Sequence, residues 1–346
     1  MSLNRSPDGP RSVTGTLVVV AILLTAGVAV IATAAYYGAR GTTTAGTVTV
    51  VDDLGRTVTA PADASRVVVL APSVMDIVYR LGLRDRVVGV GCTPQLYGGM
   101  LDEYSPNQTA LWNLTSSMCV TDFPNLNTEE VATLAPQLVL ASTLTSAGDV
   151  AKLVTTYNLP VVLLAPSTLD GIVGDVNLVA ELFPSVRTVA TALDASLEGI
   201  LANATAFDTL LADNGTAIPS VLLTYYFDAG GYYTYGPGTF GQSLIDLADG
   251  SSISAGVPLE YAEINATVVL ADQPTVLIYG TSWNDPYLVL NETPSAWPSA
   301  PYWGQLDSSK IPIDVTLLTE AAPSMLLELP WFLHWLHPTL APVPTG

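Results

Sequence analysis

The sequence predicts an α/β fold of two lobes with parallel-type sheets, joined by one long helix and preceded by an N-terminal transmembrane helix. Three observations predict it. Residues Thr16–Ala39 (TLVVVAILLTAGVAVIATAAYYGA) are apolar and uncharged, longer than the roughly 18 residues that span hydrocarbon. Short apolar runs alternate with helical stretches in two series, residues 48–183 and 214–341, as in sheets with parallel strands. Between them, residues 184–213 carry one uninterrupted helical pattern.

Taken in order, residues 1–15 hold Arg5 and Arg11, and only Arg40 follows the apolar run. The positive-inside bias therefore places the N-terminus in the cytoplasm. The small residues Ala32–Ala35 leave a cleaved signal as the alternative to an anchor. Residues 40–47 form a linker. Thr49–Val51 and Thr57–Thr59 read as strands around a turn with Gly55. Val67–Ala71 reads as a strand buried on both faces. Val74–Leu81 follows as a helix and Arg86–Val90 as a strand. Thr128–Leu134 reads as a helix capped by Thr128, with Glu129 and Glu130 in its first turn. Leu138–Ala141 and Pro160–Leu164 are strands, separated by a helix over Val150–Tyr157, and Leu169–Phe183 is helical. In the long helix, Val186, Val189, Ala190, Leu193, Leu197, Ile200, Leu201 and Ala204 recur at helical spacing. The second series has strands at Ser220–Tyr225, Thr275–Tyr279 and Ile311–Val315. Its helices are Gly241–Ala248, Asn265–Leu270 and Ser324–Leu336, the last capped by Ser324.

Composition excludes some functions. The chain has 31 acidic and 11 basic residues, a net charge of −20. Beyond Arg86 only Lys152, Arg187 and Lys310 are basic, so nucleic acid is not a partner, because phosphate neutralisation needs clusters of Lys and Arg. No Ser/His/Asp spacing, P-loop or full dinucleotide fingerprint occurs, so the chain is not read as an enzyme. His334 and His337 stand one turn apart, with Glu328 the only carboxylate at matched spacing. No metal site is expected there, and no permanently bound cofactor.

Asn107, Asn113, Asn203, Asn214, Asn265 and Asn291 head N-x-S/T sequons, more than the two or three expected by chance. They predict exposed positions on an exported, N-glycosylated surface, with Thr-rich composition as the plain alternative. Cys92 and Cys119 are the only cysteines, and outside the cell an even count permits a disulfide.

Four segments in order carry a resemblance. They are DDLGRTVTAPADASRVVVLAPSVMD, LGLRDRVVGV, LNTEEVATLAPQLVLAS (Leu126–Ser142) and YTYGPGTFGQSLIDLADGSSI (Tyr233–Ile253). In these segments the chain resembles the substrate-binding proteins of ABC importers that handle ferric siderophores, haem and cobalamin. The resemblance covers roughly Val48–Pro338. It implies two Rossmann-like lobes joined by a rigid helix, a ligand in the cleft between them, and an ABC permease with its ATPase as partners. It also implies an acidic docking group on each lobe. Asp76 stands where the family usually has Glu. In the C-lobe the matching position is Ser251, with Asp249 or Asp246 as substitutes.

Ligands of open α/β sheets bind beyond the carboxyl ends of the strands. That rule selects Ser73, Tyr97, Ser142 and Thr143 in the N-lobe. In the C-lobe it selects Trp283 and the segment YYFDAGGYYTY, with Tyr225, Tyr232, Tyr233 and Tyr235. Tyrosine offers a flat apolar face and a hydroxyl, which suits a large semi-polar chelate, although ordinary strand tyrosines would look the same. Trp297, Tyr302 and Trp303 form either a cleft wall or a packed corner. A cleft without cations favours a neutral ferric hydroxamate or a corrinoid over an anionic ferric catecholate, and haem through a Tyr ligand is a further option. The expected protein is a cell-surface, archaeal-type glycoprotein tethered by its N-terminal helix. The alternatives are a surface sensor or a chelatase-like enzyme on the same fold.

Overall fold

The computed structural model describes residues 46–92, 113–121, 126–280, 297–313 and 321–344. The expected anchor (residues 16–39), Tyr97, Asn107, Trp283 and Asn291 lie outside these residues. Among the described residues, no helix is long and apolar enough to cross a membrane.

The chain opens with an antiparallel hairpin of β1 (Thr47–Val51) and β2 (Thr57–Pro61). Asp52 closes its turn, accepting from the backbone N–H groups of Leu54 and Arg56 and pairing with the Arg56 guanidinium.

The N-lobe sheet comes next. β3 (Val67–Val69) leads through α1 (Pro72–Arg80) to β4 (Val87–Cys92) and then β5 (Cys119–Thr121). α2 (Thr128–Thr133), β6 (Leu138–Ala141), α3 (Ala147–Thr155), β7 (Val161–Leu163) and α4 (Leu169–Leu182) complete the lobe. The strand order β5-β4-β3-β6-β7 is parallel throughout. Val67 and Val69 enter one core cluster and Val68 another, so both faces are covered and the strands read as continuous apolar runs. Asn127, one residue before the expected Thr128, caps α2 by accepting from the Glu129 and Glu130 N–H groups. Cys119 is disulfide-bonded, and the chain's other cysteine is Cys92.

A short 3-10 turn at Pro184–Val186 leads into α5 (Arg187–Asn214), 28 residues and about 42 Å long. Gly215 ends it in the left-handed conformation (φ 59°) that a side chain adopts at a cost. α5 buries Ala190, Leu193, Leu197, Ala204, Phe207 and Leu211. These join Val69 and Leu140 of the first sheet and Leu223 and Ile278 of the second in one continuous cluster.

The C-lobe holds β8 (Ser220–Phe227), β9 (Gly231–Tyr235), α6 (Phe240–Leu247), β10 (Ser251–Ser252), β11 (Tyr261–Asn265), α7 (Ala266–Asp272), β12 (Val276–Gly280) and β13 (Ser309–Ile313). Its order is β11-β9-β8-β12-β13, with β10 against β8. Here the expectation of a parallel sheet needs correction. β8, β10, β12 and β13 are parallel, but β9 and β11 are antiparallel. The Tyr225–Tyr235 segment is a hairpin rather than a loop, because Asp228 turns the chain by accepting from the Gly230 and Gly231 N–H groups. Gly231 has no room for a side chain: a Cβ there would lie 2.0 Å from the Ile264 carbonyl oxygen of β11.

α8 (Pro323–Leu336) returns across the molecule and packs on α5, α4, α6 and α1. Its N-cap is Ala322, which offers no side-chain hydrogen bond. The expected Ser324 cap is replaced by Asp76 of α1, whose carboxylate accepts from the Ser324 N–H at 2.9 Å.

Candidate functional site

The N-lobe strand order reverses at β3, so the loops after β3 and β6 border the crevice in which open α/β sheets take ligands. Ser73 lies half-buried in the first turn of α1. Ser142 is buried and its Oγ accepts from the Leu144 N–H, whereas Thr143 is exposed. The described loops at the strand ends, residues 70–73, 142–146 and 225–238, contain no Lys or Arg.

In the C-lobe the decisive feature is a β-bulge. Thr224 pairs with Thr234 and Tyr226 pairs with Tyr233, so Tyr225 is the extra residue. A bulge breaks side-chain alternation and re-aims the residues beyond it. Here it puts Tyr225 and Tyr226 on the same face as Tyr233 and Tyr235. Thr224 Oγ1 holds the kink, donating to the Tyr233 carbonyl at 2.7 Å and lying 3.0 Å from that of Tyr226. Tyr261 of β11, paired with Tyr235, adds a fifth ring. Centroids lie 5.0 Å apart for Tyr226–Tyr233, 5.1 Å for Tyr225–Tyr235, 5.8 Å for Tyr235–Tyr261 and 6.2 Å for Tyr225–Tyr261.

Carboxylates border this face: Asp228 accepts from the Tyr233 hydroxyl, and Glu263 of β11 pairs with Tyr233 across the strands. Burial pushes the Tyr225 phenol up to about 12, helped by Tyr261 and Tyr233. Burial also raises Tyr261, with Glu260 adding to it. Tyr233 is raised by burial and by its hydrogen bond to Asp228. Phenolate ligation of a metal by Tyr225 is therefore costly. The array presents flat apolar rings edged by hydroxyls.

Several expected site residues are placed elsewhere. Tyr232 and Tyr235 are fully buried. Tyr232 points to the opposite face and donates to the Pro301 carbonyl at 2.7 Å. Tyr235 lies beneath the other rings, in the core. Trp297 is also core, donating from Nε1 to the Gly280 carbonyl at 2.9 Å, with Trp303 5.8 Å away. The corner reading of that segment is the one observed.

The docking expectation for Asp76 fails on geometry. Asp76 is 2% exposed, accepts from Arg80 Nε at 2.9 Å and caps α8. A group held inside by two donors does not project from the surface. Asp249 sits half-buried at positive φ, its carboxyl raised by burial and by Asp208 while His337 acts to lower it. Asp246 is exposed and accepts from Gln242 Nε2 at 2.6 Å. Of the described sequons, Asn113, Asn214 and Asn265 are exposed, but Asn203 is half-buried on α5. The two histidine rings are engaged locally, His334 with the Ala341 carbonyl and His337 with that of Ala248.

Tyr226 and Tyr261 belong to the ring array although sequence reasoning passed over them. Strict alternation sends Tyr226 to the other face, and only the bulge reverses it. For Tyr261 the signal was Tyr261-x-Glu263-x-Asn265, an alternating exposed edge.

A family model described as periplasmic binding protein matches residues 67–294. The chain belongs to the periplasmic binding protein family. It is 28% identical to the cobalamin-binding protein of Halobacterium salinarum over 237 residues, 68% of this chain and 59% of that protein. The chain thus spans about 59% of the length of the curated relatives it matches. The structure is similar to the periplasmic haem-binding protein of Pseudomonas aeruginosa (TM-score 0.63, 20% identity, 82% of this chain and 96% of that one). It is also similar to the periplasmic vitamin B12 binding protein of Vibrio cholerae (TM-score 0.56, 19% identity, 80% and 98%). At these identities the two structures show a shared fold. Both lobes of this periplasmic binding protein offer the open strand ends that the fold provides for ligands.

Proposed function

We propose that the chain captures a neutral metal chelate outside the cytoplasm, a corrinoid foremost and a ferric hydroxamate next, and delivers it to an ABC permease. It is a binding component and not an enzyme. The chelate is cargo rather than a resident cofactor. The single observation carrying this reading is the tyrosine face of β8, β9 and β11 at the strand ends, bordered by the Asp228 and Glu263 carboxylates. Phenol rings packed tilted and edge-on offer apolar surface and hydroxyls to a large chelate, and no cation stands in the described loops to balance an anionic one. The curated relative named as cobalamin-binding supports the corrinoid. On this reading Ser73, Ser142 and Thr143 line the N-lobe side, Tyr97 and Trp283 extend the site, and Thr16–Ala39 tethers the protein at the surface. Asn113, Asn214 and Asn265 are the sequons whose exposure suits glycans.

The test is thermal melting of the detergent-solubilised full chain with hydroxocobalamin, a neutral ferric trihydroxamate and a triply anionic ferric catecholate. A ligand that binds only the native state at about 100 times its Kd stabilises by about 2.7 kcal/mol. Melting should rise with hydroxocobalamin and stay put with the catecholate. Preference for the catecholate sinks the charge argument.

One observation favours a second reading, a surface sensor without a permease. The acidic group that the resemblance places on the N-lobe surface is inside the protein, at Asp76.

A further inference from the structure

Two carboxylates converge at the tip of the β8–β9 hairpin. A Cβ on Gly230, the residue before β9, would strike Glu263 Oε1 and meet Asp228 Oδ1 at 3.2 Å. Asp228 and Glu263 therefore share the space over one glycine. The register puts them on the tyrosine face, because residues paired across strands point the same way. Tyr226 pairs with Tyr233, and Tyr233 with Glu263, in one row across three strands. The Tyr233 hydroxyl donates to Asp228 Oδ2 at 3.2 Å. A molecule in solvent can reach this row: Gly230 and Glu263 are exposed, and Tyr226, Asp228 and Tyr233 are half-buried.

Among the described residues neither carboxylate makes an ion pair. Between Arg187 and Lys310 the sequence holds no Lys, Arg or His. Lys310 itself donates to the Leu306 carbonyl at 2.7 Å and lies over the Trp303 ring. Asp228 stays ionised, because the Gly230 N–H bond, helped by those of Gly231 and Tyr233, holds its carboxyl below the usual range against partial burial. A charge on an edge strand such as β11 guards against pairing with other chains. That accounts for Glu263 but not for Asp228 beside it, nor for the phenol rings next to both. Like charges held together are unfavourable, and a cation relieves them. A metal ion is poorly served here: among the described residues no three His, Cys, Asp or Glu side chains are placed to hold one, and hard cations take six or more oxygens. An ammonium suits both halves of the site, since its N–H groups bond carboxylates and its charge is attracted to ring faces.

We propose that Asp228 and Glu263, with the Tyr226 and Tyr233 rings, select a chelate that carries a pendant ammonium, which docks over Gly230. The inference rests on the chelate-binding reading above and narrows it. The metal and its donors stay neutral, and the cation sits on the periphery.

The test titrates the detergent-solubilised full chain with three ligands. They are hydroxocobalamin, the ferric complex of a linear trihydroxamate ending in a primary amine, and the N-acetylated twin of that complex, which differs by an acetyl group and the charge. The ammonium form should bind about tenfold tighter than its twin, and the ratio should shrink as salt rises. Glu263→Gln should bring the ratio to about threefold or below, and melting should move little because the side chain is exposed. Asp228→Asn keeps an acceptor for the Gly230 and Gly231 N–H groups and should lower the ratio in the same way. Equal affinity for the twins, a ratio unchanged in both variants, or binding of hydroxocobalamin with neither twin bound overturns the ammonium site and leaves the chelate reading standing. A parent chain that binds none of the three ligands removes both.

Discussion

Asp76 accepts a hydrogen bond from the backbone N–H of Ser324 at 2.9 Å, although the two residues lie 248 positions apart. The contact joins α1 of the first lobe to α8, the last helix. Arg80 completes it, donating to Asp76 from Nε and to Ser324 Oγ from Nη2 at 2.9 Å. A helix N-terminus has unsatisfied N–H groups and a positive dipole end, and a buried carboxylate from a distant segment answers both.

Asp76→Ala should therefore cost about 3 kcal/mol in urea unfolding, because it strands the Arg80 guanidinium and the α8 N-terminus together. Asp76→Asn keeps an acceptor for Ser324 and should cost less. A docking charge would behave oppositely, keeping stability and losing ligand delivery. Unfolding of Asp76→Ala within about 0.5 kcal/mol of the parent, the usual scatter of surface substitutions, would remove the clamp from the account.

The tyrosines divide by face, and substitutions should divide the same way. Tyr226→Ala removes an outer ring and should weaken chelate binding about tenfold or more, since base–aromatic stacking elsewhere is worth about 1–3 kcal/mol per ring. Tyr232→Phe should leave affinity alone and lower stability by about 1 kcal/mol, the worth of its buried bond to the Pro301 carbonyl. Calorimetric titration beside thermal melting separates the two. A binding defect in Tyr232→Phe would mean that the bulge has been read with the wrong face forward.

Much of the fold was legible because parallel strands covered on both faces leave continuous apolar runs, as at Val67–Val69 and Leu138–Ala141. The long helix was legible from the spacing of Ala190, Leu193 and Leu197. What escaped depended on distant partners. Tyr225 bulges where Thr224 reaches across to the Tyr233 carbonyl, a contact that no local pattern signals. Tyr232 and Tyr233 are adjacent and chemically identical, so nothing local tells which one faces the core. Asp76 looks like a surface acid until α8 is laid against it. The family resemblance implied a cleft between the lobes, and the strand-end rule picked its loops, but side-chain direction came from register.

Stability should fall as pH rises through the neutral range. Asp175 on α4 is 2% exposed, and its carboxyl is pushed up to about 9 by burial, then by its hydrogen bond with Asp53 and that group's charge. Asp194 on α5 is raised to about 6, mainly by burial, against an opposing hydrogen bond from Asn177. Both carboxyls hold protons in the folded chain that the unfolded chain releases near pH 4. Their contribution is complete in acid and is lost as pH climbs to about 6 for Asp194 and about 9 for Asp175, at no more than about 1.4 kcal/mol per pH unit for each group. Asp52 acts in the opposite sense. Burial works to raise it, but the Arg56 and Leu163 bonds win and lower it, so its contribution is lost only as pH falls through the acid range. Melting temperatures at pH 5, 7 and 9 should therefore decline, and Asp175→Asn should flatten the decline. An equally steep decline in Asp175→Asn would show that the Asp53–Asp175 pair does not drive it.

Reduction of the disulfide should act mainly through the unfolded chain. Cys119 opens β5 and pairs across the sheet with Val90 of β4, which Cys92 ends. The bridge closes a loop of about 27 residues, and confining a loop of that size in the unfolded state is worth about 3–4 kcal/mol by chain entropy. Reductant, or the Cys92→Ser/Cys119→Ser pair, should lower the unfolding free energy in water by that amount and the urea midpoint with it. The slope of unfolding free energy against urea should also steepen, because an uncrosslinked unfolded chain exposes more surface. The slope separates two mechanisms. A lower midpoint with an unchanged slope would place the bridge's effect in the folded β4–β5 edge and would set aside the constraint on the unfolded chain.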